Sequence, residues 1–258
     1  MISKNDIDLY KQFVKTIFKM RYKGSLLGFF WVLLKPFFMF IILFVVFSSV
    51  SGQVGNLTSK QYAVYLLSGL VIYTFFQEGI TWGLNSIMDR AGLIVKINFK
   101  REIVVISSLT MALINFGINL LIILVIGLVL QVHFTPISIA YILLIGLVMF
   151  LGMYGIAFFT SIWMVYVRDL AHIMELVLQL MFYASAVFFP IELIPEQYQF
   201  IVRYNPIALF IQAVREALIN QNIMNLKFVL LALSMSIAII LVGNIYFKKH
   251  ILKVAENF

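Results

Sequence analysis

The 258-residue chain contains no cysteine, few histidines and little charge, and these absences narrow its possible chemistry. Without cysteine, disulfides, thiol nucleophiles and cysteine-bound metals are excluded. His133, His172 and His250 are scattered and do not have the spacing of a zinc motif. No G-x-x-x-x-G-K-S/T loop occurs, so the chain lacks a phosphate-binding loop of its own. We therefore expect no metal or nucleotide cofactor in this chain.

The chain is instead rich in long apolar runs. Hydrophobic residues make up 63% and charged residues 12% of the sequence, whereas about a quarter of a soluble domain is charged. A bilayer core needs about 20 apolar residues per helix, and a β-barrel would alternate apolar with polar residues. The sequence predicts a single all-α integral membrane domain, residues 1–258. Its six predicted transmembrane helices are about Gly28–Val50, Tyr62–Trp82, Ile103–Leu130, Ile137–Tyr166, His172–Phe189 and Leu226–Phe247.

Basic residues predict the orientation of this bundle. With both termini in the cytoplasm, 15 of the 19 Lys and Arg residues fall on the inner side. Such an inside excess is typical of membrane proteins. The net charge of +8 therefore indicates topology, with anionic lipids as the expected partner and no nucleic acid.

Residues 1–27 are predicted to form an interfacial helix on the cytoplasmic side. Apolar residues from Leu9 to Met20 share one face and three lysines another, which fits a helix among headgroups or a simple topological anchor. Gly24 and Gly28 then allow a sharp turn. Lys35 lies about 10 Å inside the following apolar run. It either extends back to the interface or meets an anionic substrate in a cavity.

Aromatic residues are concentrated in the first and fifth predicted transmembrane helices. The stripe indicates either packing and lipid contact or a passage that stacks on sugar rings. The candidate lining residues are Phe30, Trp31, Phe37, Phe40, Phe44, Phe47, Phe182, Tyr183, Phe188 and Phe189.

Two connections differ from ordinary short loops. The inner loop at residues 85–102 is basic, and is either solvated or a docking surface for a soluble partner. On the outer side, prolines interrupt residues 190–225. Asn205–Met224 is apolar enough for a seventh transmembrane helix, but Arg215 and Glu216 would then lie near its middle at high cost. We expect an amphipathic or re-entrant helix there, beside an outer vestibule.

Several motifs in order resemble the membrane subunits of ABC polysaccharide exporters, which move O-antigen, capsule or teichoic acid. The segment RYKGSLLGFFW at Arg21–Trp31 resembles their R-Y-K/R-x-S-x-L-G-x-x-W motif. The further matches are FVVFS at Phe44–Ser48, INFKREI at Ile97–Ile103, VRDL at Val167–Leu170, PIELIP at Pro190–Pro195, YNP at Tyr204–Pro206 and VREAL at Val214–Leu218. Two departures are Lys100, where the family has proline, and Lys35, where it has an uncharged polar residue.

The resemblance implies a homodimer driven by two copies of a separate ABC ATPase, which would hold ATP and Mg²⁺. The cargo would be a polyprenyl-diphosphate-linked glycan crossing the bacterial cytoplasmic membrane. Residues implied near the diphosphate are Arg21, Lys23 and Lys35. Residues implied in ATPase coupling are Arg90, Lys96, Phe99, Lys100, Arg101, Glu102, Arg168 and Asp169. Residues implied in an outer gate are Pro190, Pro195, Asn205, Pro206 and Arg215.

Three other functions remain open at this point. A permease of this architecture could export a drug or lipid. A polyprenyl-phosphate transferase would need clustered acids for its metal, and the apolar segments contain only Glu78 and Glu175. A passive channel would conduct without ATP.

Overall fold

The structure is a computed structural model that describes residues 4–23, 28–51, 58–96 and 99–254. Gly24 of the predicted turn, with Ile97 and Asn98 of the inner loop, lies outside the described residues. Gly28 has a φ of 44°, a left-handed conformation that favours glycine. A sharp turn before the first long helix is therefore confirmed at this glycine.

Within the described ranges the regular structure consists of α-helices and short 3-10 turns. Runs of apolar residues favour long helices, and proline or polar residues lie at several of their ends, while Pro36 lies inside the second helix. The helices are α1 Lys4–Tyr22, α2 Trp31–Ser51, α3 Ser59–Asn85, α4 Ala91–Lys96, α5 Glu102–Val129, α6 Pro136–Tyr166, α7 Leu170–Ala184, α8 Gln199–Arg203, α9 Pro206–Ile219 and α10 Leu226–Val254.

Five helical segments are long and apolar enough to cross a membrane: Gly28–Phe47, α3, α5, α6 and Leu226–Lys253. They confirm five of the six predicted transmembrane helices. The remaining one, predicted as His172–Phe189, is the shorter helix α7, which ends at Ala184. Its 15 residues extend about 22 Å, less than the roughly 30 Å hydrocarbon core. The six-helix count is therefore not confirmed.

Helix α3 lies at the centre of the bundle and packs against α2, α5, α6, α7 and α9. Most of it is buried, whereas few residues of α2 are fully buried and the others are exposed or half-buried. Helices α6 and α10 form the most extensive pair. A Cβ placed on Gly155 would lie 2.8 Å from Ile239 Cγ2 and 2.9 Å from the Ile240 nitrogen, so the absence of a side chain permits this close approach.

Helix α1 packs along the beginning of α5. The Phe13 and Phe99 ring centroids are 5.5 Å apart, and Tyr10 shares a 2.9 Å hydrogen bond with Thr110. Phe13 is buried, while Met20 on the predicted apolar face is 68% exposed. The lysines of this helix are exposed, as the amphipathic pattern predicts. The helix is confirmed, and part of its apolar face contacts protein.

The chain reverses direction between α7 and α9. Ala186 has a φ of 49°, which takes the chain out of helical geometry. Short turns then lead to α9, whose first turn is capped by the Asn205 side chain, accepting from the Ile207 amide at 2.9 Å. Pro206 occupies the first helical position, where its missing N–H costs nothing. Helix α9 buries one face against α3 and α6, which confirms a helix at the predicted position.

Candidate functional site

The two predicted aromatic sets meet where the end of α2 lies beside the segment after α7. The Phe47 and Phe188 ring centroids are 4.9 Å apart. Phe188 also contacts Phe182 at 5.8 Å, Tyr183 at 6.2 Å and Phe189 at 4.8 Å. Because these pairs are tilted or edge-on, they have the geometry that aromatic quadrupoles favour. Phe47 therefore forms one cluster with four aromatic residues that lie at least 135 positions later in the sequence.

The cluster continues along α2 and onto α3. Ring contacts of 5.5 to 6.4 Å join Phe37 to Phe40, Phe40 to Phe44, and Phe44 to Tyr62. We call the whole set the aromatic ribbon. Its members are Phe37, Phe40, Phe44, Phe47, Tyr62, Tyr65, Tyr73, Phe182, Tyr183, Phe188 and Phe189.

Three tyrosines of the ribbon, all on α3, were not predicted from the sequence. Tyr62 donates to the Phe188 carbonyl at 3.0 Å, and Tyr73 donates to the Leu178 carbonyl. Their presence in a transmembrane helix was the available signal, since tyrosine brings a polar tip into an apolar layer. Phe30 and Trp31, by contrast, lie exposed at the beginning of α2. The ribbon thus combines exposed rings, such as Phe37 and Tyr183, with the buried and hydrogen-bonded Tyr62 and Tyr73.

A polar cluster joins the end of α1 to α3 and α5. The Arg21 guanidinium lies 3.7 Å from the Trp82 ring centroid. Tyr22 donates to Asn115 Oδ1 at 3.3 Å, and Asn115 Nδ2 donates to Glu78 Oε2 at 2.8 Å. Burial raises the pKa of Tyr22, so its hydroxyl stays protonated and able to donate. We call this set the elbow cluster.

The predicted diphosphate residues lie in or beside the elbow cluster. Arg21 and Lys35 both act electrostatically on Glu78, so the two cations belong to one neighbourhood. Lys23 is exposed in the turn that follows α1, and Lys35 is exposed on α2. Glu78, Asn115 and Trp82 are the partners that sequence reasoning missed. The sequence showed Glu78 in an apolar segment without revealing its amide partner on α5.

The inner loop is bound to both ends of the chain. Phe99 packs on Phe13, and Lys100 Nζ lies 2.5 Å from Asp6 Oδ2. Glu102 lies 3.6 Å from Lys248 on α10. Lys100, which departs from the family proline, therefore forms an ion pair with α1.

The remaining predicted coupling residues differ in exposure. Arg90 Nη1 lies 3.6 Å from Met20 Sδ, while Lys96, Arg168 and Asp169 are exposed. Among the described residues, Arg101 Nε is buried without a hydrogen-bond partner. A partner protein could contact the exposed residues and supply an acceptor for the unsatisfied Arg101 donor.

At the opposite end of the bundle, Arg215 holds the segment that follows α7 in place. Its guanidinium donates to the carbonyls of Tyr65 at 3.1 Å, Ala186 at 3.0 Å and Val187. It also stacks 3.5 Å from the Tyr65 ring centroid. Burial lowers the pKa of Arg215 from its ordinary value, and the nearby phenol groups of Tyr65 and Tyr62 act in the opposite direction. The arginine therefore links α9 to α3 and to the end of α7.

The other predicted gate residues surround this arginine in different ways. Asn205 Nδ2 donates to Ser185 Oγ at 2.9 Å and to the Ala184 carbonyl at 3.2 Å. Pro190 precedes the 3-10 turn Ile191–Leu193, and Pro195 precedes the 3-10 turn Glu196–Tyr198. A cavity of about 510 Å³ opens beside Arg215, with Tyr65, Glu192 and Arg203 among its walls. Charged, amide and aromatic groups therefore converge at this end.

Five helical segments long and apolar enough to cross a membrane, α3 among them, together with polar clusters at both ends of the bundle, define a polytopic helical membrane protein. The family model described as ABC-2 type transporter matches residues 8–219, and the chain belongs to this family.

Two curated relatives match this chain over almost its full length. Two proteins of Klebsiella pneumoniae named O-antigen export system permease protein RfbA are each 29% identical over 244 residues, covering 92% of this chain and 90% of theirs. A protein of the same name from Myxococcus xanthus is 26% identical over 179 residues, covering 69% of this chain and 67% of its own. The relatives are named as export permeases, and the two Klebsiella proteins match almost the whole chain.

Proposed function

We propose that this chain is the membrane subunit of an ATP-driven exporter for polyprenyl-diphosphate-linked polysaccharide. It acts as a homodimer with two copies of a cognate ABC ATPase, which hold ATP and Mg²⁺. The subunit lies in the bacterial cytoplasmic membrane with both termini in the cytoplasm. The observation that carries the proposal is near-full-length similarity to O-antigen export permeases, and the aromatic ribbon adds to it.

The aromatic ribbon supports a sugar path. A polysaccharide needs a surface that binds every residue weakly, so that none is trapped. Ring faces meet the apolar faces of sugars, and such contacts do not depend on one hydroxyl pattern. Tyr62 and Tyr73 are buried and are fixed by hydrogen bonds to backbone carbonyls, so they hold the segments beside the ribbon in place before cargo arrives. In this proposal Phe30 and Trp31 receive the cargo at the inner end of the path.

The elbow cluster supports binding of the lipid-linked diphosphate. Lys23 and Lys35 are exposed near Arg21, at the level where α1 turns into α2. A diphosphate carries several negative charges and binds well to clustered cations at a membrane surface. The hydrogen bonds from Tyr22 to Asn115 and from Asn115 to Glu78 fix the end of α1, and with it the position of Arg21.

The inner loop supports docking of the ATPase. Phe99, Lys100 and Glu102 connect it to α1 and α10, so movement of the loop would be passed to both helices. Arg90, Lys96, Arg101, Arg168 and Asp169 form the rest of the proposed docking surface. At the outer end, Arg215 and Asn205 hold the segment from Pro190 to Pro206 as the gate.

Depletion of the chain in its native cell tests the proposed cargo. We expect polyprenyl-linked glycan to accumulate on the cytoplasmic side, where added glycosidase reaches it only after the cells are opened. Re-expression should return the glycan to the surface. Normal surface glycan during depletion, with retention of a small lipophilic compound instead, would contradict the proposal and favour a drug or lipid permease.

A further inference from the structure

A second cavity lies away from the aromatic ribbon, between α1, the beginning of α5, α6 and α10. Its volume is about 410 Å³, within the range of small-molecule sites. Apolar side chains supply most of its wall: Ile7, Ile103, Ile106, Phe158 and Ile240. Its polar residues include Asp6, Lys100 and Glu102, at the end of the bundle where the inner loop lies. The cavity thus has an apolar interior and a charged rim.

One polar atom in the wall lacks a partner. Asn244 lines the cavity, and its Oδ1 atom is buried without a hydrogen bond among the described residues. An unsatisfied buried acceptor is unfavourable unless a ligand or water supplies a donor. A ligand for this cavity should therefore carry an N–H or O–H group.

The charges at the rim specify the kind of headgroup. Asp6, Lys100 and Glu102 line the rim, Asp6 pairs with Lys100, and Glu102 pairs with Lys248 just outside the lining, so each rim carboxylate has an ammonium partner. A balanced rim offers little net attraction to an anionic lipid. A zwitterionic headgroup matches it better, since its ammonium can approach the carboxylates and Asn244 while its phosphate approaches a lysine.

We propose that this cavity binds one zwitterionic phospholipid that has a primary ammonium headgroup. An acyl chain occupies the apolar interior, and the ammonium donates to Asn244 Oδ1 beside Asp6 and Glu102. The lipid would then join α1 to α10 on the outside of the bundle. The inference rests on the membrane placement of the helices and does not depend on the identity of the cargo.

Native mass spectrometry of the full-length chain in detergent tests this site. The probes are phosphatidylethanolamine, phosphatidylcholine, which lacks N–H donors, and phosphatidylglycerol, which lacks an ammonium. We expect phosphatidylethanolamine to bind about tenfold more tightly than either other lipid, as a hydrogen bond to a charged donor allows. Equal binding of the three lipids, tighter binding of phosphatidylglycerol, or no bound lipid would overturn the proposal.

Two neighbouring positions on α10 provide a matched pair of variants. Ile240→Trp fills the cavity and should reduce phosphatidylethanolamine binding at least tenfold. Leu241→Trp adds the same ring to a residue that is 61% exposed and should leave binding unchanged. Asn244→Leu should reduce the advantage over phosphatidylcholine to less than threefold. If Ile240→Trp and Leu241→Trp bind phosphatidylethanolamine equally, the lipid lies elsewhere and the proposal is wrong.

Discussion

Arg215 shows how a single buried charge can organise one end of this membrane protein. The last carbonyls of a helix have no partners within it. Here the guanidinium supplies donors to Ala186 and Val187, just beyond α7, and to Tyr65 in α3. The planar fork reaches several acceptors at once, which an ammonium cannot do. The arginine is therefore a positioning residue for the proposed gate.

Replacing Arg215 should destabilise the chain. Arg215→Ala removes the donor of the Ala186 and Val187 carbonyls, and we expect the free energy of unfolding to fall by about 3 kcal/mol. Arg215→Lys should recover only part of this loss. The measurement is the thermal unfolding midpoint in detergent, with Arg203→Ala as control because its contact with Gln199 is exposed. A midpoint for Arg215→Ala equal to that of Arg203→Ala would contradict this role.

Phe188 is the residue at which the two halves of the aromatic ribbon meet. Phe188→Leu keeps an apolar side chain but removes the ring face. If sugars slide on the ribbon, the rate of surface glycan appearance should fall about threefold to tenfold at equal protein level. Phe200→Ala, at an exposed position on α8, serves as the control. Unchanged export by the Phe188 variant would show that the ribbon serves packing alone.

At the scale of elements, the contact between α6 and α10 depends on the absence of side chains. A Cβ on Gly155 would lie within 3 Å of both the Ile239 side chain and the Ile240 backbone, and a backbone atom cannot move aside. Gly117 on α5 has no such neighbour within 4 Å. Alanine at these two positions should therefore change the stability of the chain in opposite directions.

Gly155→Ala should lower the free energy of unfolding by about 2 kcal/mol, because the two helices must separate. Gly117→Ala should raise it by up to about 1 kcal/mol, as alanine is the better helix former. Equilibrium unfolding of both variants in mixed micelles gives the comparison. Changes of the same sign would indicate that the close helix contact does not limit stability.

The long helices were predictable because each one carries its own signal. Hydropathy alone placed α3, α5 and α6 within a few residues of their observed ends. The end of α7 was not predictable in this way, since Val187, Phe188 and Phe189 continue the apolar run. What ends the helix is the left-handed Ala186 and a donor from Arg215, 28 residues away from the Val187 carbonyl it meets. A contact of that kind leaves no local pattern.

The candidate site was likewise predictable from the sequence only in part. The aromatic stripe of α2 was visible because its residues share one helical face. The α3 tyrosines and the Glu78–Asn115 hydrogen bond appear only when separate helices pack together. The role of Lys100 also required the fold, since its partner Asp6 lies 94 residues earlier.

For the molecule as a whole, the exposed apolar surface of α2 and α7 indicates where a second copy would bind. The end of α2 meets the segment that follows α7 at the Phe47–Phe188 contact, and in each helix more than half of the side chains that the structure describes are exposed. The proposed homodimer would place this surface at its twofold axis, next to the aromatic ribbon. Helix α10 would face lipid on the other side.

Engineered cysteines can test this arrangement directly, because the chain has none. Ile42 on α2, Leu180 on α7 and Leu241 on α10 are 59%, 60% and 61% exposed, so their accessibility is matched. We expect Ile42→Cys or Leu180→Cys to form a disulfide-linked dimer in native membranes, and Leu241→Cys to stay monomeric. Cross-linking at Leu241→Cys alone would place the interface on α10 and contradict the proposed dimer.

The most direct test of the central claim is affinity purification of the tagged chain from its native membranes in mild detergent. Mass spectrometry would then identify the bound proteins and lipids. We predict an ATP-binding subunit in equal amount together with polyprenyl-diphosphate-linked glycan, and loss of that subunit from an Arg101→Ala/Glu102→Ala variant. A chain recovered alone in several detergents, with neither ATPase nor glycan, would contradict the assignment as a polysaccharide exporter subunit.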